Sequence, residues 1–146
     1  MYKKIIIIIL FLTTSSFSEE EYFSTLRNEI TNLRQGPSFE YPIKILYKKK
    51  YLPVLIQDKS DNFRKIRDHE NNSGWIHISQ LSKKKAAIII DVNVMVFKKP
   101  TVYSKPLVIL EMGKLCLVKK CKNDWCKIKV NKYVGWIKKE SLWGKL

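Results

Sequence analysis

The chain has 146 residues, 45% of them hydrophobic, and a formal net charge of +15. Its two histidines lie at 69 and 77 and its three cysteines between 116 and 126, so neither a zinc set nor a cysteine nucleophile with its base is expected. The charge favours anionic partners.

The chain opens with an export signal. Lys3 and Lys4 form a positive start, Ile5 to Leu12 is an unbroken apolar run, and Ser16 and Ser18 are small residues before a cut. The run is shorter than the ~20 apolar residues of a membrane-spanning helix. With no cysteine near the cut, a lipid anchor is not expected. The predicted division is 1–18 signal peptide, 19–84 first domain and 85–146 second domain. An uncleaved N-terminal anchor is the alternative, and N-terminal sequencing of the exported form separates the two. Export places the protein in the periplasm or outside the cell. That conflicts with nucleic-acid binding, although the charge suits it.

Residues 22–33 carry two patterns. Tyr22, Phe23, Leu26, Ile30 and Leu33 fall at helical spacing. The corresponding stretch 86–97, with Ile88 to Ile90 and Val92, Val94 and Val96, is β-branched and strand-like. Two copies of one domain share one structure, so 22–33 is read as mainly extended.

Further along, short apolar runs alternate with Asn, Asp, Gly and Ser clusters at roughly ten-residue spacing, the pattern of a small all-β sandwich or barrel. The pattern occurs twice. Gly74-Trp75-Ile76 returns as Gly135-Trp136-Ile137, Phe63 to Ile66 as Trp125 to Ile128, Pro37 as Pro100 and Pro42 as Pro106. A period near 62 residues exceeds a solenoid unit and matches a small domain. Lys83 to Lys85 separate the copies, so the domains must lie close or touch.

Cys121 and Cys126 flank a turn-like KNDW segment between two strand-like runs. Direct pairing would bring their Cα atoms within disulfide range. The bond would stabilise the fold by about 2 kcal/mol in the chain-entropy model. Cys116 is left as a small buried hydrophobe.

These residues resemble a known family. NLRQGPSFEYPI is similar to the first strand and long first loop of bacterial Src-homology-3-like (SH3b) domains, and GWIHISQL to their Gly-Trp strand and closing turn. CKNDWCKIKVNKYVGWIKKESLWG resembles a second module of the same kind, with KKPT replacing the Gly-Pro turn. The resemblance implies an all-β fold of two tandem, partly open SH3-like barrels, each of five or six strands. It also implies a noncatalytic binding module, often for peptidoglycan.

Trp75 and Trp136 have two readings: interior residues around which each barrel closes, or an aromatic surface for a peptide or sugar. Phe63 and Trp125 alternate with basic residues and read as core. Gly74 and Gly135 read as sites of special backbone angle. The expected ligand-facing residues are Phe39, Tyr41 and Trp75 in the first copy, with Tyr103 and Trp136 in the second, because loops carry function more often than core strands. Lysine runs at 48–50, 83–85, 119–120 and 138–139 read as solvated faces or, together, as an anionic-polymer patch. His69 or His77 beside Asp68 or Glu70 is the sole acid–base option, without a nucleophile signature, so no enzyme activity and no cofactor are expected. Expected partners are peptidoglycan or another anionic envelope polymer. The alternative is a protein–protein adaptor that recruits an envelope enzyme through an aromatic groove or strand edge.

Overall fold

The computed structural model describes residues 19–146, and the signal-peptide expectation lies outside the described residues. The first half forms β1 (Tyr22–Leu26), β2 (Thr31–Arg34), β3 (Ile43–Tyr47), β4 (Pro53–Ser60), β5 (Phe63–Arg67), β6 (Ser73–His77), a 3-10 turn (Ile78–Gln80) and β7 (Leu81–Ser82). The second repeats the order with β8 (Ala86–Ile89), β9 (Val94–Phe97), β10 (Pro106–Leu110), β11 (Leu115–Lys122), β12 (Trp125–Val130), β13 (Tyr133–Lys138), a 3-10 turn (Lys139–Ser141) and β14 (Leu142–Gly144). The extended reading of 22–33 holds for β1 and β2.

The two sheets have the same order, β3-β2-β6-β5-β4-β1-β7 and β10-β9-β13-β12-β11-β8-β14. These are two tandem SH3-like barrels. Each has seven strands rather than the implied five or six, because both ends of each repeat are recruited. β1 lies between β4 and β7, and β8 between β11 and β14. Registers match as well. Leu33↔Ile45 and Arg34↔Ile43 return as Val96↔Val108 and Phe97↔Pro106, with the same bulge between. Pro106 therefore occupies the place of Ile43, not that of Pro42. Two-residue turns whose first residue is left-handed close three hairpins, at Asp61, Asn123 and Asn131, residue types that tolerate that conformation.

The first core is aliphatic, with Leu26, Leu33, Val54, Ile66 and Ile76 fully buried, and the second is built on Ile89, Val96, Ile128 and Ile137. This corrects the expectation of tryptophan-containing interiors. In β6 and β13 the inward positions belong to Gly74 and Ile76 and to Gly135 and Ile137, so strand alternation turns Trp75 and Trp136 to the outer face, half-buried. The glycines serve close approach rather than an unusual angle. A Cβ on Gly74 would fall 2.7 Å from the Arg34 carbonyl and the Leu33 side chain, and one on Gly135 2.7 Å from the Phe97 carbonyl and Val96.

The barrels touch. Ile88 and Leu115 of the second pack into the first core, and Trp143 meets the Phe23 ring edge-on at 4.9 Å. Thr25 Oγ1 donates to the Lys84 carbonyl at 2.8 Å, tying the linker to β1. Cys121 and Cys126 face each other across β11 and β12, Cα atoms 4.0 Å apart, and are disulfide-bonded. Cys116 is buried, and burial pushes its thiol up to about 12, far above its ordinary value. Among the described residues no helix is long and apolar enough to cross a membrane.

Candidate functional site

β2 delivers Arg34 to the base of the 35–42 loop. The loop closes on itself through Gln35 N–H to the Pro42 carbonyl (3.1 Å), with Ser38 N–H to Gly36 and Tyr41 N–H to Ser38 inside it. Arg34 Nη1 donates to the carbonyls of Phe39 (3.1 Å) and Tyr41 (2.9 Å), and its guanidinium lies 5.4 Å from the Phe39 ring centre. One cation thus braces the loop from below and holds the ring from its face. Gly36 is needed here, since a Cβ would fall 2.4 Å from the Tyr41 ring.

Phe39 is 62% exposed yet fixed. It packs against Phe63 at 5.2 Å and His77 at 5.1 Å, and these two face each other across β5 and β6, also at 5.1 Å. Strand alternation places Trp75 on the same face as His77, opposite both Arg34 and Lys65. His77 Nδ1 accepts the Ser79 N–H (3.2 Å), capping the 3-10 turn and fixing the ring. Lys44 Nζ donates to the Ser73 carbonyl (2.8 Å). The result is a strip of rigid rings flanked by Arg34 and Lys65.

The second barrel repeats the loop backbone. Lys98 N–H bonds the Lys105 carbonyl (2.9 Å), Thr101 N–H bonds Lys99 (2.8 Å) and Ser104 N–H bonds Thr101 (3.2 Å), each 63 residues after its counterpart. The side chains differ. Val102 stands at the place of Phe39, Ser104 at that of Tyr41, and Phe97 at that of Arg34. Ser104 Oγ accepts the Lys99 N–H (2.8 Å), so a hydroxyl closes the loop where Tyr41 lies on Gly36. Phe97 packs edge-on against Trp125 at 5.9 Å and pairs in register with Trp136, over which Lys120 Nζ sits at 5.8 Å. A cleft of about 740 Å³ opens beside Trp125, between Pro100, Val102, Lys138 and Leu142.

Of the expected ligand-facing residues, Phe39 and Trp75 share one face of the first barrel through His77, and Tyr41 lies over Gly36 in the same loop as Phe39. Trp136 lies beside Phe97. Tyr103, 95% exposed, has no ring against it among the described residues. Sequence reasoning missed Arg34, Phe63, His77 and Trp125. Phe63 is buried as expected, but under Phe39 on the outer face. Trp125 is half-buried and lines a cleft. The usable signal was the period of two, which sets Phe63 with Lys65 and Trp75 with His77. Of the acid–base candidates, Asp68 accepts from Tyr47, Glu70 and Asn72, while His69 Nε2 lies 3.5 Å from Glu70 and its ring 6.3 Å from that of Trp143.

Residues 27–83 and 91–144 each match the family model for the bacterial SH3 domain. The chain belongs to that family. Bacterial SH3 domains are generally cell-wall binding modules. Among solved structures, the chain is similar to NlpC2 from Trichomonas vaginalis, with 12% identity and a TM-score of 0.40 over 86% of this chain and 49% of that one. It is also similar to NlpC1 from the same organism, with 13% identity and a TM-score of 0.40 over 95% and 51%. The chain spans about half the length of these structures. No curated protein matches it. In the first bacterial SH3 domain the loop and the Gly-Trp strand frame the ring strip; in the second the same elements frame the Trp125 cleft.

Proposed function

We propose that the protein is an exported, noncatalytic binding module of the cell envelope, holding peptidoglycan or another anionic wall polymer on the ring strip of its first barrel. The observation that carries this is Phe39, exposed yet clamped between Arg34, Phe63 and His77. Rings held before contact lose little entropy on binding, and they offer a face to a sugar or an extended peptide. Arg34 and Lys65 beside them suit carboxylates. Family membership and the short apolar run at 5–12 support the wall and the export route.

The test is co-sedimentation of the protein with purified sacculi. The double variant Phe39→Ala/Tyr41→Ala is expected to weaken binding at least tenfold while thermal unfolding shifts by only a few degrees, because both rings are substantially exposed. Unchanged sedimentation refutes the assignment. A protein–protein adaptor is favoured instead if binding needs a wall enzyme. The edge strands β3 and β10, which expose Ile43, Leu46 and Ile109, support that second reading.

A further inference from the structure

Where the end of the second barrel crosses the first, the two repeats enclose a cleft of about 630 Å³. Its floor is apolar, formed by Phe23, Ile78 and Leu81, and Trp143 holds Phe23 in place. Its rim carries Arg27, Arg64, Lys83 and Lys145, and no acidic residue lines it.

Two of these cations are half-buried and held by backbone carbonyls. Arg64 Nη1 donates to the carbonyls of Asp61 (3.0 Å) and Phe63 (2.9 Å), and Lys145 Nζ to the carbonyl of Phe23 (3.2 Å). Among the described residues, neither has a carboxylate at ion-pair distance. The two ion pairs among the described residues are Lys59 with Glu19 and His69 with Glu70, and the nearby Glu21 is engaged by Gln57 Nε2 at 3.0 Å. Partly desolvated cations without a counter-charge, above an apolar floor, are complementary to a ligand that has both an anionic head and an apolar body.

We infer that this cleft binds a small anionic amphiphile. A carboxylate or phosphate head would sit between Arg64 and Lys145, and an apolar tail would lie over Phe23 and Ile78. The volume is that of a small-molecule site, and the planar fork of arginine suits either head. The site is composite, since Lys145 comes from the second repeat and the other lining residues named from the first. It shares no residue with the ring strip, so it stands or falls separately from wall binding.

Isothermal titration of the full chain tests it, with decanoate and decyl phosphate below their micelle concentrations and decanol and inorganic phosphate as controls. The expected result is one amphiphile per chain, with either control at least tenfold weaker. Lys145→Met, which keeps the aliphatic stem, and Arg64→Gln should each weaken binding about tenfold. Because Arg64 also braces its hairpin, Lys83→Glu on the exposed rim supplies a variant that cannot act through folding, with a loss of several-fold. A preference for decanoate assigns a free acid, and a preference for decyl phosphate assigns a lipid phosphate; either supports the site. Decyl phosphate binding no tighter than inorganic phosphate, binding unchanged in all three variants, or no binding by either amphiphile overturns it. Sacculus sedimentation of Lys145→Met should match the parent whichever way the titration falls.

Discussion

Tyr47 in the first barrel and Leu110 in the second hold the same strand position, paired with Thr31 and Val94 respectively. Facing them are Asp68 in one barrel and Val130 in the other. The first barrel thus buries a polar knot where the second buries two aliphatic side chains. The knot is complete. Asp68 accepts from Tyr47 Oη (2.8 Å), Asn72 Nδ2 (2.9 Å) and the backbone N–H groups of Glu70 (2.9 Å) and Asn72 (2.8 Å). Its purpose is local. The β5–β6 connection spans 68–72 and needs a carboxylate to gather its N–H groups, whereas β12 and β13 join through Asn131 and Lys132 alone. The second barrel fastens its β11–β12 hairpin with Cys121–Cys126, at the register position where the first has Lys59 and Arg64. Closure of this fold therefore rests on alternation and register, and each copy secures its turns by its own chemistry.

Three perturbations bear on that contrast, from the strongest to the weakest. Asp68→Val, copying the second barrel, strips a buried acceptor from four donors and should cost about 3 kcal/mol in urea unfolding. Adding Tyr47→Leu should restore about 1 kcal/mol but not all of it, because the Glu70 and Asn72 N–H groups stay unpaired. Full recovery would show that the knot does not organise the turn. Next, Cys121→Ser/Cys126→Ser should lower stability by about 2 kcal/mol without altering the first barrel, as amide exchange resolved by barrel would show. A loss spread evenly over both would mean that the docked barrels unfold as one unit.

The smallest effect is in pH. Burial alone would raise the Asp68 pKa, but the hydrogen bonds from Asn72, Tyr47 and Glu70 outweigh it and hold the carboxyl below its ordinary value of 3.8. The folded pKa being depressed, its contribution is present above about pH 4 and is lost as pH falls through the folded value. Burial, followed by the Asp68 hydrogen bond, pushes Tyr47 upward, and burial pushes Cys116 up to about 12 from 9.0. Raised folded values act in the other direction, so these contributions hold at neutral pH and are lost as pH rises above 9 for Cys116 and above 10 for Tyr47. The acid limb should therefore belong to the first barrel, and the alkaline limb should begin in the second. Barrel-resolved unfolding across pH checks both. An acid limb that survives Asp68→Val would assign it elsewhere.

Much of this was legible in the residues. Repeated Gly-Trp-Ile and Asn/Asp turn signals gave two all-β copies, and the spacing of Cys121 and Cys126 matched a disulfide across one hairpin. The side-chain environments were less legible. Trp75 reads as a core residue because it is large and apolar, yet Gly74 claims the inward position so that β2 can approach. Phe63 reads as a core residue and is buried, but by a loop ring 24 positions away.

The two all-β copies and their hairpin turns were determined by the sequence alone, because alternation and turn chemistry act over a few residues and were written twice. Which rings meet, which cations lack a partner and how the second barrel seals against the first were decided only in three dimensions. Phe39 with His77, or Lys145 with Phe23, are contacts between distant positions, and no local pattern encodes the distance at which they come to rest.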